Sequence, residues 1–375
     1  MAGPLSNLRI LEMAAIGPVP FCTMMLSDMG AEVIRIDRKS AAGTGAGESI
    51  VDRGRRSICL DLKTPEATDV VLRLVAQADV LLEGFRPGVM ERLGLGPTEC
   101  MQRNARLVYG RMTGWGQTGP LSQAAGHDLN YIAITGALHA MGYRDRPPTP
   151  PLHVFGDLGG GAMMMAFGVM SALWERERSG KGQVIDAAIC EGASMLATGY
   201  HGRRATGQWV DQRQSNVLDG GAHFYGTYAC ADGKYLSVGA IEPQFYRQLL
   251  QLSGIADPDF HRQLEPEAWP ALRDKLAAIL LHRTRDEWCR LLEGSDACVA
   301  PVLDFEEATR HPQFVERKSF VRTGGVVHPA PTPRLSRTPG EARTVSKVGA
   351  HTQDVLRELG LTSEEIEALG RQGAI

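Results

Sequence analysis

Three ionisable side chains, His127, Asp157 and Glu242, are candidates for proton-transfer chemistry. His127 lies between Gly126 and Asp128, so its imidazole is free to move and has a carboxylate beside it. The unperturbed imidazole pKa of roughly 6.5 suits proton transfer near neutral pH. Because a loop histidine is more often a solvated or structural residue, this segment alone leaves both interpretations open.

Asp157 and Glu242 both stand where helix starts are expected. Apolar residues 154–156 precede Asp157 and the glycine-rich residues 158–161 follow it, which predicts a carboxylate at the start of a long helix, where backbone N–H groups are unpaired. An N-cap aspartate is the simpler interpretation. Three glycines there weaken a helix, and they are expected where backbone or substrate approaches closely. Glu242 precedes Pro243, a pattern typical of a helix-start carboxylate.

The elements that must position these side chains form an α/β pattern in the first half of the chain. Apolar runs alternate with helical patterns such as the one at 65–78, which indicates a parallel sheet with helices on both faces. The predicted strands are residues 8–13, 32–38, 57–62, 80–83, 106–111 and 183–189.

Polar residues cluster at the predicted carboxyl ends of these strands, the edge where such sheets bind ligands. Arg38 ends the second strand, Asp61 and Lys63 follow the third, and residues 83–86 end the fourth. No G-x-G-x-x-G fingerprint follows the first strand, so a dinucleotide site is not indicated. The glycine run at 43–47 leads into no helical pattern, and we interpret it as a loop rather than a phosphate cradle.

The remaining sequence predicts a second domain. A hairpin turn is expected at 231–234, amphipathic helices at 244–252 and 269–281, and a terminal helix at 363–369. Residues 114–151 form a long predicted loop that carries His127 and several aromatic residues. We therefore predict a large domain over 1–200, completed by 330–375, a linker at 201–225, and a small α+β domain over 226–325.

Composition limits the classes of partner and compartment. The net charge of -3 argues against a nucleic-acid binder that neutralises phosphates. The seven cysteines show no C-x-x-C and no metal spacing, so we expect free thiols in a reducing compartment such as the cytoplasm, and no metal site. The most apolar stretch, residues 159–174, looks too short to cross a membrane and predicts a buried helix.

Several segments taken together resemble the α-methylacyl-CoA racemases of the family III CoA-transferase superfamily, and the resemblance covers nearly the whole chain. Residues 126–131 (GHDLNY) and 239–246 (GAIEPQFY) match the racemase branch, whereas other motifs are shared by the wider superfamily. These shared motifs are residues 32–38, 60–63, 85–89, 114–120, 180–186 and 218–222. One departure is His223, where the family usually has proline.

The resemblance implies a Rossmann-like large domain, a smaller α+β domain, and a homodimer of interlocked subunits. It also implies that His127, assisted by Glu242, is one acid/base group and that Asp157 is the other. CoA is expected on the large domain, with Arg38 facing the ADP phosphates. The other expected CoA-binding residues are Leu60, Asp61, Leu62 and Lys63 along the nucleotide, Glu83, Arg86 and Arg92, and Gly126, His127, Asp128, Leu129, Asn130 and Tyr131 at the thioester end.

The activity so implied is the interconversion of (2R)- and (2S)-2-methylacyl-CoA by 1,1-proton transfer through an enolate. The CoA thioester is the substrate, and no cofactor or metal is expected. Backbone N–H groups after Asp157 are candidate donors to the enolate oxygen. Met163, Met164, Met165 and Met170 either contact the acyl chain or pack in the core.

Two other functions stay open from the sequence. In a family III CoA-transferase, Asp157 would be a nucleophile that forms a covalent acyl anhydride and then a thioester with CoA. A histidine on the opposite face is not needed for that reaction, so His127 and Glu242 favour racemisation. A CoA-binding protein without catalysis would keep Arg38 and residues 60–63 but give His127 and Asp157 no chemical role.

Overall fold

The computed structural model describes residues 3–42 and 49–375, so the glycine run predicted as a loop at 43–47 lies outside the described residues. The strands are β1 Arg9–Met13, β2 Glu32–Arg38, β3 Arg55–Leu60, β4 Val80–Glu83, β5 Val108–Thr113, β6 Val184–Ala188, β7 Tyr225–Ala229, β8 Tyr235–Gly239, β9 Val299–Val302, β10 Phe320–Thr323 and β11 Val326–Pro329. The helices are α1 Pro18–Asp28, α2 Pro65–Val75, α3 Val89–Arg92, α4 Pro97–Arg103, α5 Asp128–Ala133, α6 Ala137–Ala140, the π-helical segment Val154–Met163, α7 Met164–Ser179, α8 Ile189–Leu196, α9 Thr198–Ala205, α10 Pro243–Ser253, α11 Trp269–Leu280, α12 Arg285–Leu292, α13 Phe305–Arg310, α14 Pro312–Glu316, α15 Thr352–Glu358 and α16 Ser363–Arg371.

Strands β1 to β6 form a parallel sheet within the described residues, in the order β3-β2-β1-β4-β5-β6. Leu11 on β1 pairs with Ile34 on β2 and with Leu81 on β4, so β1 is central and buried on both faces. The direction of strand progression reverses between β1 and β4, which makes a topological switch point there. The predicted α/β class with a Rossmann-like parallel sheet is confirmed.

Helices cover both faces of this sheet because each presents an apolar stripe to it. Helix α2 begins at Pro65 after Thr64, whose side chain accepts a hydrogen bond from the Ala67 N–H at 3.3 Å. Its buried residues Val70 and Leu74 join the core on one face, which α15 and α16 complete. Helices α1 and α7 supply the core on the other face.

Two predicted strands are displaced along the chain, and a buried charge explains the displacement of β3. Strand β3 begins at Arg55, before the predicted 57–62, and the Arg55 guanidinium donates to the buried Glu12 carboxylate. A hydropathy pattern assigns arginine to the surface, so it misses a strand residue whose charge is paired inside. Strand β5 runs from Val108 to Thr113, two residues beyond the predicted 106–111.

A three-stranded antiparallel sheet in the order β7-β8-β9 forms a second assembly with helices α10, α11 and α12. The hairpin predicted at 231–234 is confirmed, since it joins β7 and β8 with Tyr225 opposite Gly239. The predicted helices at 244–252 and 269–281 correspond to α10 and α11. The core between them is aromatic and includes Phe224, Phe260 and Trp288.

The described chain divides into two compact units. One comprises the described residues of Met1–Thr135, with Leu152–Leu196 and Glu316–Ile375, and the other comprises Gly136–Pro151 and Ala197–Val315. The domain bounds expected from the sequence stay a prediction. Helix α9 extends into the segment predicted as a linker at 201–225.

The helix that contains Asp157 is longer and more exposed than the sequence suggests. It runs from Val154 to Ser179, 26 residues, and by length and composition alone this helix of the described chain could cross a membrane. The expectations of a stretch too short to span and of a buried helix are therefore wrong; Phe167 and Trp174 are 71% and 70% exposed. A single helix of this kind is weak evidence for a membrane span, because helices of globular proteins meet the same criteria.

Candidate active site

Asp157 lies inside the π-helical segment Val154–Met163 rather than at an N-cap. Its backbone N–H donates to Asp128 Oδ1 at 2.6 Å, and the next N–H, of Leu158, donates to the His153 carbonyl at 3.2 Å. The N-cap interpretation is therefore wrong, because the helix begins before Asp157. The Leu158 N–H is therefore already paired and is not a free donor for an enolate oxygen, whereas a donor role for the N–H groups of the following glycines stays a prediction. Single π-helical turns recur at functional sites.

The three glycines after Asp157 allow a close backbone contact with helix α8. A Cβ added at Gly160 would lie 2.6 Å from the Ala193 nitrogen, and one added at Gly192 would overlap the Gly160 carbonyl. No side chain fits between these two backbones. The close approach that the glycines predict is thus made by α8, which sets the orientation of the π-helical segment.

His127 is the N-cap residue of α5, and its imidazole is exposed. Its backbone N–H donates to Asn130 Oδ1 at 3.1 Å, and its carbonyl accepts from the Asn130 N–H at 2.8 Å. This reciprocal pairing fixes the backbone from which the imidazole projects. The next residue, Asp128, is only 8% exposed and reaches Asp157. Asp128, the residue after His127, therefore connects the His127 segment to the backbone of Asp157.

The surroundings of Asp157 favour its protonated form. Burial raises the pKa of the Asp157 carboxyl, the neighbouring negative charge of Asp128 raises it further, and His153 and His127 oppose the shift. Gly17, with φ of +75°, borders the same carboxylate, and a Cβ there would lie 3.3 Å from Oδ2. A carboxylic acid that keeps its proton toward neutral pH can act as a general acid.

The aromatic residues Trp115 and Tyr131 pack together and hold the segment that carries His127. The rings of Trp115 and Tyr131 meet edge to face with centroids 4.9 Å apart, and the Tyr131 hydroxyl donates to the Gly126 carbonyl. A Cβ at Gly114 would overlap the Tyr131 ring, so glycine is needed there. Burial raises the pKa of Tyr131, and the charge of Asp157 adds to this effect. Tyr131 thus acts as a neutral hydrogen-bond donor that anchors the segment.

The predicted nucleotide-binding residues Arg38, Leu60, Asp61, Leu62 and Lys63 line one cavity of about 680 Å³. The cavity lies at the carboxyl ends of β1 to β4, the edge where ligands bind in this kind of sheet. The sequence interpretation missed other members of its wall, which only the tertiary structure reveals. They are Met13, Ala14, Ile36, Asp37, Lys39, Ser40, Phe85, Val89 and Leu93.

The C-terminal residues lie against the same cavity wall. The Lys39 ammonium donates to the Gly373 carbonyl at 3.0 Å, and the Asp61 N–H donates to the Ala374 carbonyl at 2.8 Å. Ala374 is fully buried. The end of the described chain therefore supports two residues of the cavity from behind.

Nine residues expected to bind CoA do not line this cavity: Glu83, Arg86, Arg92 and the thioester-end residues 126–131, whose contact with CoA stays a prediction. Glu83 is almost fully buried, and its oxygens accept from the Phe85 N–H at 2.7 Å and from Arg111 at 3.1 Å. We therefore assign Glu83 to the support of the Phe85 wall rather than to direct ligand contact. Arg86 precedes helix α3 and Arg92 is its last residue; both are exposed, and their contact with CoA stays a prediction.

Glu242 belongs to the second unit, where it is the N-cap residue of α10 with Pro243 in the first turn. The helix-start position predicted from the sequence is confirmed, and the Glu242 side chain is exposed. Its predicted assistance to His127 stays a prediction. Of the four methionines, Met165 is fully buried in the core, whereas Met163 and Met170 are exposed.

Comparison with known proteins matches residues 5–352 to the family model described as CoA-transferase family III. The chain belongs to this family. It is 46% identical to an alpha-methylacyl-CoA racemase of Mus musculus over 96% of this chain and 95% of that protein. It is 42% identical to that of Homo sapiens, over 97% and 96%. A CAIB/BAIF family protein from Brucella suis has a similar structure, with a TM-score of 0.82 and 28% identity over 96% of this chain and 100% of that one.

Proposed function

We propose that this chain is an isomerase that interconverts (2R)- and (2S)-2-methylacyl-CoA thioesters. The observation that carries the proposal is the hydrogen bond between Asp128, next to His127, and the backbone of Asp157. It connects the segment that carries His127 to the segment that carries Asp157, in a family III chain that resembles named racemases over nearly its full length. Inversion by proton transfer needs one such group on each face of the α-carbon.

The proposed reaction moves one proton off and another onto C2. Neutral His127 removes the C2 proton, and the electron pair of that C–H bond passes into the thioester carbonyl to give an enolate. Protonated Asp157 then donates a proton to the opposite face of C2. His127 is left protonated and Asp157 ionised, so the enzyme is ready for the reverse direction. Glu242 keeps the assisting role that the family resemblance implies.

The raised pKa of Asp157 supports its role as the proton donor, because the protonated fraction at a given pH is larger than for an ordinary aspartate. Burial and the charge of Asp128 both shift the carboxyl toward the protonated form.

We place the CoA moiety in the cavity at the sheet edge. Arg38 and Lys63 supply cationic donors for phosphate oxygens there, and Leu60 and Leu62 supply apolar wall. The chemistry is assigned to protein side chains, with no cofactor or metal. The seven cysteines are all free, which supports the proposal of a reducing, cytoplasmic location.

We further propose that the chain acts as a homodimer. Met163, Phe167, Met170 and Trp174 recur at helical spacing and are exposed along one side of the helix Val154–Ser179. Such an apolar face is covered in most proteins, and the family resemblance supports a second copy as its cover. Light scattering should give twice the chain mass, and Phe167→Asp should reduce it to a single chain. A single-chain mass for the wild type contradicts the dimer.

The test of the activity is deuterium incorporation at C2 in heavy water, with one enantiomer of a 2-methylacyl-CoA and no acceptor acid. We expect exchange and inversion in the wild type and losses of at least 100-fold in His127→Ala and Asp157→Asn. CoA transfer to an added carboxylate without any exchange supports the covalent role of Asp157 instead. Full exchange in both variants contradicts the catalytic assignment, and binding of acyl-CoA without either reaction supports the CoA-binding protein.

A further inference from the structure

We infer that Gln263 is a positioning residue for Glu242, because its buried amide fixes the backbone turn from which Glu242 projects. The inference rests on the proposed function, since it concerns how Glu242 is held for its part in proton transfer. The contacts that hold the Glu242 backbone all lie within the second unit. Neither the sequence pattern nor the family resemblance gives Gln263 a role.

The amide of Gln263 satisfies two consecutive carbonyls just before Glu242. Its Nε2 donates to the Ala240 carbonyl at 3.2 Å and to the Ile241 carbonyl at 2.9 Å. An amide nitrogen carries two hydrogens, so both are used on this turn. Gln263 is only 6% exposed, and its backbone carbonyl accepts a hydrogen bond from the Trp269 indole N–H at 2.8 Å. Trp269 therefore holds Gln263, and Gln263 holds the turn.

A second buried polar contact holds the other side of Glu242. The Tyr246 N–H donates to the Glu242 carbonyl at 3.0 Å in the first turn of α10. The Tyr246 hydroxyl lies 2.7 Å from Nε2 of the fully buried His223. The backbone is thus tied to the interior on both sides of position 242, while the Glu242 side chain itself is exposed.

The choice of residue types supports a positioning role. Burying an amide or an imidazole costs free energy unless its polar atoms are paired, and an aliphatic side chain would fill the same space without that cost. The Gln263 amide donates two hydrogen bonds to adjacent carbonyls, and these bonds fix the orientation of the Ala240–Ile241 backbone. The carboxylate that benefits is the one at the start of α10.

The test is a double-mutant cycle between Gln263 and Glu242, read by C2 deuterium exchange. Gln263→Met keeps the side-chain length and removes both donors. We expect it to lower kcat roughly tenfold with KM within twofold, since misplacement of an acid/base group affects the chemical step. In a Glu242→Gln background the same change should have no further effect on kcat. Gln251→Met, an exposed glutamine on α10, is the matched control and should leave kcat unchanged.

Tyr246→Phe provides a second arm if Gln263→Met does not fold. It removes only the hydroxyl that meets His223, and its effect on kcat should likewise vanish in the Glu242→Gln background. Losses that multiply in the double variants overturn the positioning role while leaving the proposed role of Glu242 intact. If Glu242→Gln alone leaves exchange unchanged, the role of Glu242 fails and this inference fails with it. Absence of exchange in the wild type overturns the proposed function itself.

Discussion

The hydrogen bond from the Asp157 N–H to Asp128 should control both the local stability and the acidity of Asp157. It spans 2.6 Å, and its acceptor is a buried carboxylate. Charge-assisted bonds of this kind contribute about 1.5–3 kcal/mol, and losing one leaves the Asp157 N–H without its acceptor. We expect Asp128→Ala to cost about 2–3 kcal/mol of local stability, and Asp128→Asn, which keeps an oxygen acceptor, about 1 kcal/mol.

Amide hydrogen exchange with fragment-level mass spectrometry measures this directly. At about 1.4 kcal/mol per factor of ten, protection of the Asp157 amide should fall roughly 30- to 150-fold in Asp128→Ala and roughly fivefold in Asp128→Asn. Asp354→Asn removes an exposed carboxylate from the same unit and serves as the control. Unchanged protection of the Asp157 amide in Asp128→Ala would refute the structural reasoning.

The same pair of variants tests the acidity of Asp157. The Asp128 charge raises the pKa of Asp157, so Asp128→Asn should lower that pKa. In the direction where Asp157 donates its proton, kcat falls as pH rises through this pKa. The fall should therefore begin at lower pH in Asp128→Asn than in the wild type. If the fall in kcat begins at the same pH in both proteins, or at a higher pH in Asp128→Asn, the electrostatic effect of Asp128 on Asp157 is contradicted.

Three further predictions follow from other parts of the structure. Gly192→Ala should lower the free energy of unfolding by about 1–3 kcal/mol in urea titrations, because its Cβ would overlap the Gly160 carbonyl. Lys63→Met should raise the KM for acyl-CoA about fivefold and leave kcat within twofold, since it removes a cavity-lining cation that we assign to CoA binding and not to proton transfer. Burial, together with the charge of Arg273, lowers the pKa of His223 from 6.5 to about 4, so the folded state resists protonation of this imidazole. The contribution of neutral His223 to the free energy of unfolding is present in full above pH 6.5 and is lost as the pH falls to about 4, a change on the order of 3 kcal/mol. The pH dependence of unfolding should lack this change in His223→Phe.

Each of these predictions has a result that contradicts it. An unfolding free energy of Gly192→Ala equal to that of the wild type would mean that α8 and the π-helical segment can separate without cost. A fall in kcat for Lys63→Met at unchanged KM would remove Lys63 from ligand binding. Identical pH dependence of unfolding in His223→Phe and the wild type would show that His223 is not held neutral by burial.

The sequence by itself determined the fold class and the position of most elements. The apolar run Val80–Glu83 predicts a strand, and the spacing of apolar residues in α2 predicts a helix. The residue types at 231–234 by themselves favour a turn. Glu242 at a helix start followed from its neighbour Pro243. These features are local, so residue type and spacing suffice to predict them.

Only the tertiary structure decided which polar groups meet. Asp128 and Asp157 are 29 positions apart, and Gln263 is more than 20 positions from the carbonyls that it holds. The strand position of Arg55 likewise depends on the buried Glu12. A sequence pattern records the cost of burying a polar residue but not the distant partner that offsets it. Candidate acid/base residues could therefore be named from the sequence, whereas the contacts that orient them required the fold.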